Sequence, residues 1–106
     1  MTTLITGATG FIGRRLISAV DGEIRVLSRA VHSDLETVIC DLQSSVISDN
    51  TLDSIDTVFH LAGFAHDMRD PSKIVDLYYK VNVSATVQLA ELAVKSGVKR
   101  FVFVSS

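Results

Sequence analysis

Cysteine is nearly absent. Cys40 is the only one in 106 residues, which excludes an intrachain disulfide. It lies in "TVICDL", a strand-like run, and reads as a small buried hydrophobe rather than a reactive thiol. Long apolar runs are absent too, and none approaches the ~18 residues needed to span a bilayer. The opening stretch "MTTLITGATG" has no positive segment followed by an apolar one, so no secretory signal is read there. Neither sign of charge dominates, with 10 basic and 12 acidic residues spread along the chain for a net charge of -2. That excludes the basic stripe of a nucleic-acid binder and the polybasic run of a membrane-surface protein. The combination points to a reducing, cytoplasmic setting. The sequon "NVS" at Asn82–Ser84 falls inside a helical pattern and, without a secretion signal, reads as accidental.

What is present is a chain built to bury surface. Hydrophobic residues make up 47% and charged residues 21%, a balance far from that of disordered segments. The length allows one domain at most. Short apolar runs read as strands at Thr3–Thr6, Ile24–Ser28, Thr37–Cys40, Thr57–Ala62 and Arg100–Val104. "FIGRRLISAV" carries Ile12, Leu16, Ile17 and Val20 at helical spacing, with Asp21-Gly22 as its stop. A long helix is expected over 71–96, entered through Asp70 and Pro71 and left through Gly97. Strands that are continuous apolar runs, alternating with helices, predict an α/β chain with a parallel sheet covered on both faces. Between Ser28 and Thr37 there is too little chain for a crossover helix, so an abbreviated irregular connection is expected there.

Glycine is sparse but concentrated. Of six glycines, Gly7, Gly10 and Gly13 lie within seven residues, between the first strand and the first helix. The spacing G-x-x-G-x-x-G has the logic of a dinucleotide-binding turn. Gly7 permits the tight turn, Gly10 lets the backbone approach a pyrophosphate, and Gly13 lets helix pack on strand. The helix N-terminus then offers free N–H groups and partial positive charge to phosphate. The second strand ends on Ser28 and Arg29, where a binder of NAD usually carries an acid for the ribose 2′-hydroxyl. With no acid to repel a 2′-phosphate and a guanidinium to pair with it, NADP is expected over NAD. Arg14 and Arg15, just past Gly13, can add charge at the same place.

Taken in order, "TGATGFIG", "CDL", "HLAG", "VNVSAT" and "FVFVSS" resemble the extended short-chain dehydrogenase/reductase family of nucleotide-sugar epimerases, dehydratases and keto-sugar reductases. The resemblance runs from Thr3 to Ser106. It implies a Rossmann-type doubly wound parallel sheet of strand order 3-2-1-4-5. It also implies that Gly7, Gly10, Phe11, Ile12 and Gly13 hold a pyrophosphate. Asp41 would bond the adenine amino group, with Leu42 against the ring edge. Leu61, Ala62 and Gly63 would line the adenosine ribose and phosphates. Asn82 would support the active site, and Ser106 would bond the reacting oxygen of the substrate. "HLAGFAHDMRDP" with "LYYKVNV" is similar to the branch of UDP-hexose 4-epimerases and UDP-4-keto-sugar reductases of surface-polysaccharide synthesis, which would place His66 near the substrate.

The chain departs from the family pattern in three places. "HLAG" stands where the family has "HLAA", and Ala85 replaces the glycine of "NVxGT". The tyrosine–lysine pair that moves the proton is missing, because the residues four beyond Tyr78 and Tyr79 are Asn82 and Val83. The two tyrosines therefore read as packing residues. The expectation is a truncated chain: the amino-terminal, cofactor-binding part of a longer enzyme, without its substrate lobe and inactive by itself. Its partners would be a nicotinamide dinucleotide and, in the full-length parent, a nucleotide sugar. An unpaired apolar edge on strand five would favour self-association into a homo-oligomer. A non-enzymatic NADP-binding regulator of the same fold is the alternative, since fold does not dictate function.

Overall fold

The computed structural model describes residues 1–32, 34–41, 47–61 and 83–104. In chain order the elements are β1 (Thr2–Thr6), α1 (Phe11–Ala19), β2 (Glu23–Ser28), β3 (Glu36–Ile39), β4 (Thr57–His60), α2 (Ala85–Ser96) and β5 (Arg100–Phe103). The strands form one five-stranded sheet in the order β3-β2-β1-β4-β5, and every pairing is parallel. That is the parallel pairing expected from the apolar runs and the strand order that the family resemblance implies. All strands therefore end on the same edge, where ligands bind in doubly wound sheets.

Strand alternation divides the interior into two cores. Leu4, Leu27 and Val58 face one side, with Leu52, Ile55, Leu89 and Leu92 packed among them. Their neighbours Ile5 and Val26 face the other, against Leu16, Ile17 and Phe59. Consecutive strand residues point to opposite faces, so a run such as "LI" in β1 serves both cores at once. This is why the strands read as continuous apolar runs rather than alternating ones. α1 covers one face and α2 the other.

The helix ends follow different rules. α2 stops at Gly97 in the left-handed conformation (φ 77°), and the Val98 N–H bonds back to the Ala93 carbonyl at 3.0 Å. α1 stops earlier than its sequence signal. Val20 caps it in extended conformation, and Gly22 (φ 88°) acts two residues later, where a Cβ would lie 2.6 Å from the Met1 carbonyl oxygen. Gly22 is thus required by the approach of the N-terminal backbone, whose Met1 carbonyl accepts the Glu23 N–H at 3.1 Å. Of the long helix expected over 71–96, the described part is α2 with a π-type turn at 83–84, and Asp70 and Pro71 lie outside the described residues. The connection from Arg29 to Leu35 carries no helix among its described residues, as expected from its length.

The far edge of β2 is braced by one cation. Arg25 is paired with Glu36 across β2 and β3, and its Nη1 donates to the Thr51 and Asp53 carbonyl oxygens, each at 2.9 Å. Cys40 is buried in the α2-side core, as read from its context. Burial, and secondarily the neighbouring Asp41 carboxylate, hold its thiol pKa above the ordinary value. A neutral, buried thiol is unsuited to nucleophilic chemistry.

Candidate functional site

The carboxyl edge of the sheet gathers the described residues among those singled out above. β1 runs directly into the glycine turn. Gly7 adopts φ 71°, which only glycine takes without strain. The Gly10 N–H closes the turn on the Gly7 carbonyl at 3.1 Å, and α1 begins at Phe11. Gly10 is the N-cap, with no side-chain cap and no acidic residue in the first turn, so the first N–H groups of α1 have no capping partner of that kind.

The reasons for glycine differ between Gly10 and Gly13. A Cβ on Gly13 would lie 2.2 Å from the Gly7 oxygen and 2.8 Å from the Ala8 Cα, both backbone atoms that cannot swing away. Gly13 is therefore required by the packing of α1 on the turn. A Cβ on Gly10 would meet nothing nearer than the Gly7 oxygen at 3.4 Å, and its backbone is extended at φ -76°. Internal packing gives little reason for glycine at position 10. A group from outside approaching the backbone would give one, and this observation fits a dinucleotide pyrophosphate.

Around the turn, Phe11 and Ile12 are well exposed, at 73% and 51%. The Arg15 guanidinium lies 4.4 Å from the centre of the Phe11 ring. Arg14 folds back, its Nε donating to the Thr9 carbonyl at 2.8 Å. Both arginines thus stay at the start of α1. Across β1, the end of β2 presents Ser28, half-buried, and Arg29, exposed. Ser28 Oγ accepts the Ala30 N–H at 3.4 Å, and the Ser28 carbonyl accepts the Cys40 N–H at 2.8 Å. That second bond brings Asp41 to the same edge, beside the end of β2. Arg29 forms no ion pair with a described residue.

β4 ends on a feature that motif reading passed over. His60 is fully buried. Its Nδ1 is 2.7 Å from Thr6 Oγ1, and its Nε2 is 2.8 Å from Thr86 Oγ1 on α2. The ring stacks on Phe103 with centroids 5.5 Å apart. Thr6 Oγ1 also accepts the Leu61 N–H at 3.0 Å, which holds the first residue after β4. Burial pushes the His60 pKa down to about 4, so the ring is neutral at physiological pH. The available signal was a titratable residue within an apolar strand run. Leu42, Ala62, Gly63, His66, Tyr78, Tyr79, Asn82 and Ser106 lie outside the described residues.

The glycine turn at an uncapped helix start has the form of a dinucleotide site. Residues 3–106 match the model of the NAD dependent epimerase/dehydratase family. The chain belongs to that family. Among its relatives, a UDP-glucose 4-epimerase of Vibrio cholerae is 38% identical over 111 residues, covering 97% of this chain and 34% of that protein. A 3 beta-hydroxysteroid dehydrogenase/Delta 5→4-isomerase of Mycobacterium tuberculosis is 32% identical over 115 residues, covering 97% of this chain and 31% of that protein. The solved structure of MoeE5 in complex with UDP-glucuronic acid and NAD matches with a TM-score of 0.83 at 34% identity, over 100% of this chain and 37% of that one. This epimerase/dehydratase-family chain thus spans about a third of the length of the relatives it matches. By their names, the first two relatives act on a nucleotide sugar and on a steroid. Among the described residues no helix is long and apolar enough to cross a membrane. No group of three or more His, Cys, Asp or Glu among them could hold a metal ion.

Proposed function

We propose that this chain is the dinucleotide-binding part of a nucleotide-sugar oxidoreductase, a UDP-hexose 4-epimerase or UDP-4-keto-sugar reductase of surface-polysaccharide synthesis. The observation that carries the reading is Gly10. It is a turn residue whose missing side chain is little needed by internal packing, at the uncapped start of α1, on the edge where β2 and β4 also end. The residues then divide the work. Gly7, Gly10, Phe11, Ile12 and Gly13 seat the pyrophosphate, and the first N–H groups of α1 donate to it. Asp41 and Leu42 take the adenine. Leu61, Ala62 and Gly63 lie along the ribose and phosphates. The dinucleotide supplies the redox chemistry when bound. Asn82 supports the reacting centre, and Ser106 orients the substrate oxygen. Turnover would further need an acid/base pair to move the hydroxyl proton and a lobe to seat the sugar, and neither is assigned to residues of this chain.

The preferred cofactor is NADP. Arg29 is exposed and no described carboxylate competes with a 2′-phosphate for its guanidinium. Ser28 adds a hydroxyl and no repelling charge. The test is titration of NADPH and NADH into the chain, followed by nicotinamide fluorescence. NADPH should bind about tenfold more tightly, equivalent to about 1.4 kcal/mol. Arg29→Ala should remove most of that difference while changing NADH affinity less than about twofold, since an exposed charge contributes little beyond its direct partner. Equal affinities, or tighter NADH, refute the preference. Binding of neither cofactor refutes the site.

A further inference from the structure

Thr6, His60 and Phe103 occupy a single register row across β1, β4 and β5. It is the last paired row before the carboxyl edge. Alternation puts all three on the face with Leu4, Val58 and Phe101, the face that α2 covers. The imidazole therefore sits where three strand ends and one helix start converge. Thr6 immediately precedes Gly7, the first residue of the glycine turn. Thr86 is the second residue of α2. Leu61, whose N–H donates to Thr6 Oγ1, is the first residue after β4.

The proton arrangement in this row is constrained. A neutral imidazole has one donor nitrogen and one acceptor nitrogen. If Thr6 donates to Nδ1, then Nε2–H donates to Thr86 Oγ1. In the other tautomer Nδ1–H donates to Thr6 and Thr86 donates to Nε2. Either way the two hydroxyls run in the same sense through the ring, and neither bond survives a displacement of one end without the ring following. No aliphatic residue of that volume bonds both ends. A buried, stacked ring with both nitrogens in short hydrogen bonds has little freedom to absorb a relative shift of its partners.

We propose that His60 is a positioning residue, its ring tying the strand end that carries the glycine turn to the first turn of α2, so that the two sides of the dinucleotide site keep one relative placement. The link between turn and helix stands on the geometry alone. Its consequence for cofactor geometry rests on the proposed function.

Thr86→Val is the informative change, because it removes the hydroxyl bonded to Nε2 and keeps the branched shape within a helix. Thr86→Ser restores a hydroxyl. The first readout is nuclear magnetic resonance of the cofactor-free chain: the imidazole nitrogen signals of His60 and the backbone amides of Gly7, Ala8, Gly10 and Gly13. In Thr86→Val we expect the His60 nitrogens to shift, and the glycine-turn amides to shift with them although they lie on another element. The amides of Arg25 and Thr37, on the far strands, should stay in place and report an intact fold. Thr86→Ser should return the turn amides toward the wild-type positions. The second readout is the NADPH dissociation constant, expected to rise about fivefold in Thr86→Val and to recover in Thr86→Ser. Turn amides that do not move while the His60 nitrogens do would overturn the proposal. So would a turn that moves equally in Thr86→Val and Thr86→Ser. If wild-type chain bound no dinucleotide, the proposed function would fall, and the amide shifts would still decide the positioning role.

Discussion

Acid should destabilise this fold through His60, by an amount that can be worked out in advance. His60 is fully buried between Thr6 and Thr86, and burial holds its pKa at about 4 against an ordinary 6.5. In the unfolded chain the ring takes a proton near its ordinary value. Between those two values the unfolded state binds more protons than the folded state, so stability falls as pH falls. The contribution is fully present above pH ~6.5, is lost on descending through that value, and reaches its floor below pH ~4. The full span is about 3 kcal/mol, from 1.36 kcal/mol per pKa unit. Between pH 7.5 and 5.5 the loss integrates to about 1.3 kcal/mol. Urea unfolding followed by far-ultraviolet circular dichroism at half-unit steps over that interval measures it. The control is His60→Gln, which keeps hydrogen-bonding capacity and cannot titrate. Its stability should be lower at pH 7.5 and should lack the His60 component of the slope. A wild-type slope no steeper than that of His60→Gln would refute the reasoning, because the ring would then be protonated as easily in the fold as outside it.

Other consequences can be checked with single substitutions. Gly13→Ala should cost about 3 kcal/mol in chemical unfolding, because its methyl would overlap backbone at 2.2 Å and the turn must open to admit it. Gly10→Ala should cost less than about 1 kcal/mol, with its nearest contact at 3.4 Å, yet weaken NADPH binding at least tenfold in the fluorescence titration. A Gly10→Ala chain that binds normally would remove the main support for the cofactor site. Thr51→Val should raise stability by about 1 kcal/mol in urea unfolding, because Thr51 Oγ1 is buried with no hydrogen-bond partner among the described residues. Ser54→Gly should raise it by about 0.5 kcal/mol, since Ser54 sits at φ 65° and relief of left-handed strain outweighs glycine's entropy cost. Thermal melts of both variants report the sign directly.

The features legible in the sequence were those encoded by near neighbours. The apolar runs of β1, β2 and β4 announced a sheet buried on both faces, and the two cores show each run serving both. Gly97 was legible as a helix exit because a left-handed cap is a local demand on one residue. Gly22 was misleading for the same reason. It looked like the stop for α1, but Val20 ends that helix, and Gly22 is required by the passage of Met1, which lies 21 positions away along the chain. Arg25 gave no signal at all, because its partners Thr51 and Asp53 come from a loop more than 25 residues on. His60 was visible only as a letter in "HLAG".

By itself, the sequence determined the class of the fold, the strand–turn–helix placement of Gly7, Gly10 and Gly13, and the absence of an acid at the end of β2. Each of these depends on residues within a few positions of one another, so periodicity and spacing record them. Only the tertiary structure decided why each glycine is there. Gly13 is held by contact with Gly7 and Ala8, while Gly10 is nearly open at the edge. It also decided that Thr6 and His60, 54 residues apart, meet in one row, with Thr86 a further 26 residues on. The register of parallel strands sets that meeting. Register comes from the packing of whole faces against helices, and no short stretch of the chain contains it.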